Sequence, residues 1–411
     1  MAKPKLCLIP AAQGSKFYSV LPSDGVGDFD FARASAATRI NKYGLIETVA
    51  SGQSRLNYPL IDGVVKGCPS HILEPARTNS LPYSQDFSNA AWLKSNVTII
   101  SNSIISPDGT LNADELQVTS SGGNIYDNVG NTGDGVFSVF AKYKDTQFIR
   151  LRSTSSYAYF DIKNGIVGST LSVLGTKIEN YGNGWYKCSV IGNNTNSLAQ
   201  IFVSSDGVNV GLGNVYLWGA DFQMGSYPTS YIPTSGSTVT RVAETANGAG
   251  DASTFNDSEG VLMAEISALA NDGTNRVLGI SNDTAANRII IYFSTTSNQI
   301  ALFISSLGFS QAILTYNLTD ATNLVKVAAK YKLNDVGLWV NGFEVGTDTL
   351  ASMPVGLLDL SFDNGTGTEP FYGNTKQIQY FDSALNDSDL ETLTSWVSFQ
   401  DMAESQLYTI E

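Results

Sequence analysis

The 411-residue chain holds one histidine, His71, and three cysteines, Cys7, Cys68 and Cys188. A lone histidine leaves no second imidazole for a two-histidine metal site. Ser-His-Asp or Cys-His catalysis would have to be built around that one residue. It sits in Cys68-Pro69-Ser70-His71-Ile72-Leu73, in a stretch expected to pack, and reads as a bonded structural histidine. Three widely spaced cysteines without a C-x-x-C give neither a disulfide framework nor a zinc site. They are expected to be small buried apolar groups. Charged residues make up only 15 %, and the net charge of −14 comes with no cluster of lysine and arginine. A nucleic-acid binder must neutralise phosphates, so neither DNA nor RNA is expected as a partner. No apolar run reaches the ~20 residues of a membrane helix, so membrane insertion is not expected. Pro10 interrupts the first apolar patch, which is too short for a secretion signal. Synthesis and assembly in a cytoplasm are the expectation.

Turn formers are abundant. The 38 glycines, with many Ser, Thr and Asn residues, separate short apolar runs, the pattern of an all-β sandwich or barrel. Phe137–Tyr143, Phe148–Arg152 and Tyr157–Ile162 alternate with period two, as half-buried strands do. Gly184–Val190, Ala199–Val203 and Val215–Ala220 extend the series. Residues 234–258 are loop-like and poor in apolar groups. Beyond them Gly260–Ile266, Arg288–Phe293, Ile300–Ile304, Leu324–Tyr331 and Val336–Val340 start a second series, the last running into the hairpin pair Asn341-Gly342. One helix is expected near Leu390 and Leu393, capped by Asp387 or Ser388. The first 80 residues differ: no stretch in them looks able to bury a core alone, and they are expected to lie against the following domain or another protein.

Candidate chemistry is sparse. Sugar sites pair a flat aromatic ring with polar groups that orient hydroxyls. Tyr157 and Tyr159 share one strand face, and Tyr227 and Tyr231 lie in a Pro-containing exit loop; these four are the glycan-binding candidates. Trp185, Trp218 and Trp339 are expected in the core. Loop acids Asp272, Asp283 and Asp363 suit calcium, which takes carboxylate and carbonyl oxygens, although Asp-Gly and Asn-Gly pairs form turns without metal. The last domain shows no closely spaced glutamates on one strand, so a two-carboxylate glycosidase is not expected and the chain reads as a non-enzyme. Arg33, Arg39, Arg55 and Arg77 with Glu47 and Glu74 can form bidentate pairs that lock an open segment onto a sandwich. A polysaccharide-phosphate site is the sharper reading of the same residues.

Residues 31–82 resemble a segment of phage and prophage structural proteins. The shape is R-A-S-x-A-T, then G-L-I-E, then E-x-x-R-T-N, filled here by Arg33, Ser35, Thr38, Gly44, Glu47, Arg55, Glu74, Arg77 and Asn79. Asp86–Trp92, Ser106–Thr110, Trp218-Gly219-Ala220 and Ser226–Thr234 continue a likeness to the carbohydrate-binding-module-like jelly rolls of phage tail and head fibres, over roughly residues 30–242. The last part resembles the concanavalin A-like, laminin-G-like sandwich, through Leu338–Gly342, Phe371–Phe381 and the following Ala384–Leu390. The family's G-x-I at the closing strand is replaced by Gly373-Asn374-Thr375-Lys376-Gln377-Ile378.

The resemblance implies an N-terminal attachment segment (1–80), a jelly-roll sandwich (81–242), a linker (243–257) and a concanavalin A-like sandwich (258–411). It implies a fibre or capsid-decoration protein on the exterior of a phage virion. Such a protein would be a homo-oligomer, dimer or trimer, that meets host surface polysaccharide and other virion proteins. Two rivals stand beside it: a purely structural virion protein, and a polysaccharide depolymerase with two carboxylates facing across a groove.

Overall fold

The computed structural model describes residues 2–194 and 198–396. It is all-β apart from one short helix, and its strands form two antiparallel sandwiches. In the first, a six-stranded inner sheet runs in the order Val97–Ile105, Leu111–Val118, Gly213–Met224, Gly133–Tyr143, Trp185–Asn194, Gly175–Asn180. A six-stranded outer sheet faces it, in the order Leu93–Ser95, Asn124–Asn128, Leu198–Ser204, Phe148–Ser153, Ser156–Asp161, Ile166–Leu171. Alternation explains the packing. Phe137 and Val139 point from the inner sheet, and Ile149, Leu151, Ala158, Phe160, Ile201 and Val203 from the outer one, into a shared core of fully buried side chains. Truncating Ile149, Leu151, Phe160 or Ile201 to alanine removes about 2–5 kcal/mol.

The second sandwich packs a five-stranded sheet, from Phe309–Asn317 to Asp359–Ser361, on a nine-stranded one. Its core holds Leu262, Ile291, Leu302, Val327, Leu338 and Ile378. Asn341 and Gly342 both take positive φ in the two-residue turn between Val336–Val340 and Phe343–Asp348, as that hairpin pair requires. Asp387–Ser395 is the helix, and Asn386 caps it, its side chain accepting from the Asp389 amide. The cap therefore lies one residue before Asp387. On the outside of the large sheet Leu390 and Leu393 pack with Trp339 and Phe381.

The first 80 residues do more than lie against a neighbour. Leu6–Leu8 and Ser70–Leu73 both pair with Gly373–Phe381, so the start of the chain is built into the large sheet of the last sandwich. All residues of both strands are buried. Strands of three and four residues buried on both faces show no alternation, which is why their role was not readable. The same segment covers the first sandwich: Ile46 packs with Phe140, Trp185, Trp218 and Tyr231 on the outer side of the inner sheet. The loop-like stretch 234–258 is likewise paired, Val239–Arg241 with Arg77–Asn79 and, within the expected linker, Thr245–Asn247 with Phe29–Ala32.

Two local expectations are corrected. Cys7 and Cys188 are buried, but Cys68 is exposed, in the turn before Ser70–Leu73. His71 is 1 % exposed and stacks on Phe17 at 3.8 Å, yet among the described residues neither ring nitrogen has a hydrogen-bond partner. Burial alone depresses its pKa to about 3, which keeps the ring neutral and apolar in character, so it packs as an aromatic instead of being held by hydrogen bonds.

Candidate functional site

Among the described residues, one face of the first sandwich has no covering layer. The inner sheet's outer side is packed by the N-terminal segment, whereas the outer sheet's outward side chains join none of the apolar cores. Alternation puts Arg150 and Arg152 on that side, opposite buried Ile149 and Leu151. Cross-strand register sets Arg150 between Tyr159 and Phe202, and Arg152 between Tyr157 and Gln200. The result is a patch in which Tyr157, Arg150 and Arg152 are half-buried and reach the surface, while Tyr159, 2 % exposed, and Phe202, 7 % exposed, lie beneath them. A ligand could therefore meet the Tyr157 ring but not that of Tyr159.

Its geometry is closely defined. The Arg150 guanidinium carbon lies 4.0 Å from the Phe202 ring centroid, 5.1 Å from Tyr157 and 5.7 Å from Tyr159. Tyr157 and Tyr159 meet edge to face at 5.9 Å. Arg150 Nη1 donates to the Tyr159 hydroxyl at 3.4 Å, while its Nε has no partner among the described residues. Arg152 donates to the Thr154 carbonyl and to Gln200 Oε1, and Gln200 in turn donates to Asn124 Oδ1 at 2.8 Å. Among the described residues, neither arginine has a carboxylate within ion-pair distance. Stacked guanidinium groups that no acid neutralises are poised donors for an anionic or hydroxyl-rich ligand. At one end of the patch the ring of Phe148 lies beneath Gly207, whose carbonyl accepts from Ser169 Oγ.

The other candidates go elsewhere. Tyr231 is 3 % exposed, packs against Phe140 and Trp218, and bonds Ser84 through its hydroxyl. It is a core residue that cannot meet a sugar. Trp185, Trp218 and Trp339 are buried as expected. Tyr227 lines a cleft of about 450 Å³ between the two sandwiches, together with Arg77 and Asp272. Three residues singled out for three different reasons therefore meet in one place.

Arg33, Arg55 and Glu74 form a buried ion-pair cluster with two residues the sequence reading missed, Arg241 and Glu244. Arg33 reaches Glu244 at 2.7 Å, and Glu74 lies 2.8 Å from both Arg55 and Arg241. Ser230 donates its amide and hydroxyl to Glu74. Burial pushes the Glu74 carboxyl up, but Arg241 and Arg55 outweigh it and bring its pKa down to about 2. These side chains are closed to solvent, which removes the phosphate-site reading and leaves the locking role. Arg39 and Glu47 stand apart as a surface pair at 3.2 Å on a hairpin. Arg241 and Glu244 carried no visible signal, because they lie in the stretch that composition marks as loop.

No group of three or more His, Cys, Asp or Glu side chains among the described residues is arranged to hold a metal ion. Asp272 pairs with Arg276 at 2.8 Å. Asp363 accepts from the Gly365 amide and from Asn247. Asp283 and Asp363 are near enough to Asp359 to help raise its pKa, after burial, to about 6. The three calcium candidates thus do not converge.

No family model matches the sequence, and no curated protein does. Among solved structures the chain is similar to the CBM40 module of a Ruminococcus gnavus IT-sialidase bound to α2,3-sialyllactose. Identity is 17 % and the TM-score 0.31, over 36 % of this chain and 87 % of that one. The NanB sialidase of Streptococcus pneumoniae gives 17 % and 0.29 over 34 % and 24 %. A heptameric SAP-like pentraxin of Limulus polyphemus gives 12 % and 0.26 over 34 % and 72 %. Likeness at this level says nothing of a ligand.

Proposed function

We propose that this chain is a glycan-binding protein that holds an acidic surface polysaccharide on the outer face of its first sandwich. The observation that carries the reading is the pair Arg150 and Arg152, set among Tyr157, Tyr159 and Phe202 with no carboxylate partner among the described residues. The half-buried Tyr157 ring can cover the C–H face of a pyranose, and a guanidinium fork fits a sugar carboxylate. An open sheet face suits a polymer that passes along it, in contrast to the deep pockets of small-molecule sites.

The sequence likeness over roughly residues 30–242 supports the finer reading: a fibre or decoration component on the exterior of a phage particle, present as a homo-oligomer. Many copies multiply weak individual sites through avidity, so a shallow face is sufficient. We read this face as binding without cleavage, since Arg150 and Arg152 are the charged groups at its centre and a glycosidase would need two carboxylates.

Size-exclusion chromatography of the protein mixed with host capsular polysaccharide, following both components, tests this. Co-elution with intact polymer that is lost in R150Q/R152Q supports the reading. Separate elution of wild-type protein and polymer removes it in favour of a purely structural protein. A shortened polymer would mean a depolymerase.

A further inference from the structure

The cleft between the sandwiches has a chemistry unlike that of the sheet face. Its walls come from five stretches that meet only in the folded chain: Pro75 and Arg77 before the first sandwich, Tyr227 after it, and parts of the second carrying Asp272–Arg276, Thr295 and Glu369–Tyr372. The volume, about 450 Å³, falls in the usual range of small-ligand sites, roughly 300–1,000 Å³. We propose that this cleft is a second carbohydrate site, selective for a neutral sugar.

Charge balance decides the ligand class. Arg276 is 3 % exposed and is neutralised by Asp272 at 2.8 Å, with its Nε unpartnered among the described residues. That leaves Arg77 and Glu369 as opposite charges on one small cavity. Arg77 lies over the Tyr227 ring at 5.2 Å, and its Nη1 donates to the Ala76 carbonyl at 3.2 Å. Among the described residues no carboxylate is within ion-pair distance of it. Glu369 receives one amide on each oxygen, Asn275 at 2.6 Å and Asn364 at 3.1 Å, and a carboxylate oxygen has lone pairs beyond that. A fixed donor fork and a fixed acceptor, beside the half-buried Tyr372 ring, match the hydroxyls and C–H face of a pyranose, while Tyr227, 8 % exposed, lies beneath Arg77 and Arg276. An acidic sugar would meet the Glu369 carboxylate, and a basic one the Arg77 guanidinium.

Backbone geometry points to the same residue. Glu369 has φ +52, a left-handed conformation that non-glycine residues adopt at a cost and that clusters at functional sites. The adjoining Pro370 bridges to Val277, so the conformation is tied to a strand of the sandwich.

A glycosidase is the wrong reading of the two acids here. Burial pushes the Asp272 carboxyl up, but Thr274 and Arg276 outweigh it and its pKa lies below the ordinary value. A general acid needs the reverse shift.

The test is saturation-transfer NMR with glucose, galactose and N-acetylglucosamine, and with glucuronate as counter-probe, on full-length protein. It is run in the R150Q/R152Q background, so that nothing seen is binding at the sheet arginines. At least one neutral sugar is expected to bind with a dissociation constant on the order of millimolar, at least about tenfold tighter than glucuronate. Y372A should weaken it about tenfold and E369Q severalfold. E369Q changes charge without volume, so it decides the matter if Y372A unfolds. No transfer to any neutral sugar, transfer undiminished in E369Q, or glucuronate bound as tightly would each overturn the proposal.

Discussion

Arg55 and Glu244, 189 positions apart, form a two-point ion pair in which neither side chain reaches solvent. Arg55 also donates to the Thr38 carbonyl, and Glu244 also accepts from Arg33 and from the Glu74 amide. The pair thereby joins the N-terminal segment, the entry to the first sandwich and the exit from it. Glu244→Gln leaves two buried guanidinium groups short of charge. Removing one partner of a buried pair costs about 3–5 kcal/mol. Urea denaturation should show that loss, with a lower midpoint; an unchanged midpoint would mean the cluster is not what holds the joint.

The sheet face makes a sharper demand on Arg150 than positive charge. Lysine keeps the charge but loses the planar fork that stacks on Phe202 and grips a carboxylate through two bonds. Arg150→Lys should therefore weaken acidic polysaccharide by about tenfold, roughly 1.4 kcal/mol. Affinity electrophoresis at rising polymer concentration would measure it. Retention equal to wild type would reduce the arginine's role to general electrostatics.

His71 makes stability sensitive to acid. The imidazole titrates near 6.5 when unfolded and near 3 when folded, because burial penalises its charge. A depressed pKa means that stability is whole above 6.5 and is lost as pH falls toward 3. The full loss is of order 4–5 kcal/mol, at ~1.4 kcal/mol per unit. Asp221 acts in the opposite sense: burial raises it to about 6, so its protonation on acidification favours the fold. His71→Phe keeps a ring beside Phe17 and removes the titration. The stability gap between H71F and wild type should widen steadily below pH 6.5 in parallel denaturation curves; a constant gap would refute the assignment.

Gly182 controls how the hairpin of Leu60–Ile61 and Val64–Val65 docks. Its φ is +78, and a Cβ there would sit 2.4 Å from the Gly63 carbonyl oxygen. Gly182→Ala should cost more than about 1 kcal/mol and lift the hairpin from the sandwich. Limited proteolysis near residues 58–67 should accelerate in the variant, while the sandwich cores stay resistant. Equal cleavage rates would show that the contact is dispensable.

Much of the fold was legible because strand signals are local. Alternation in Phe148–Ser153 and Ser156–Asp161 places Ile149, Leu151, Ala158 and Phe160 inside, and the same alternation puts Tyr157 and Tyr159 together outside. It also put Arg150 and Arg152 beside them, a signal present in the sequence but not used. Tyr231 was misread because an exit loop with prolines looks like surface, whereas here it is folded back onto the inner sheet beside Phe140.

By itself, then, the sequence determined the all-β class, the strand positions, the Asn341-Gly342 hairpin and the poverty of catalytic bases, all properties of neighbouring residues or of composition. Tertiary structure alone decided where Leu6–Leu8 and Ser70–Leu73 pair, which arginines are buried with Glu74 and Glu244, and that Arg77, Tyr227 and Glu369 line one cleft. Those contacts join residues far apart along the chain. Loop closure and the desolvation of charge govern them, and neither leaves a periodic mark in the residues that are brought together.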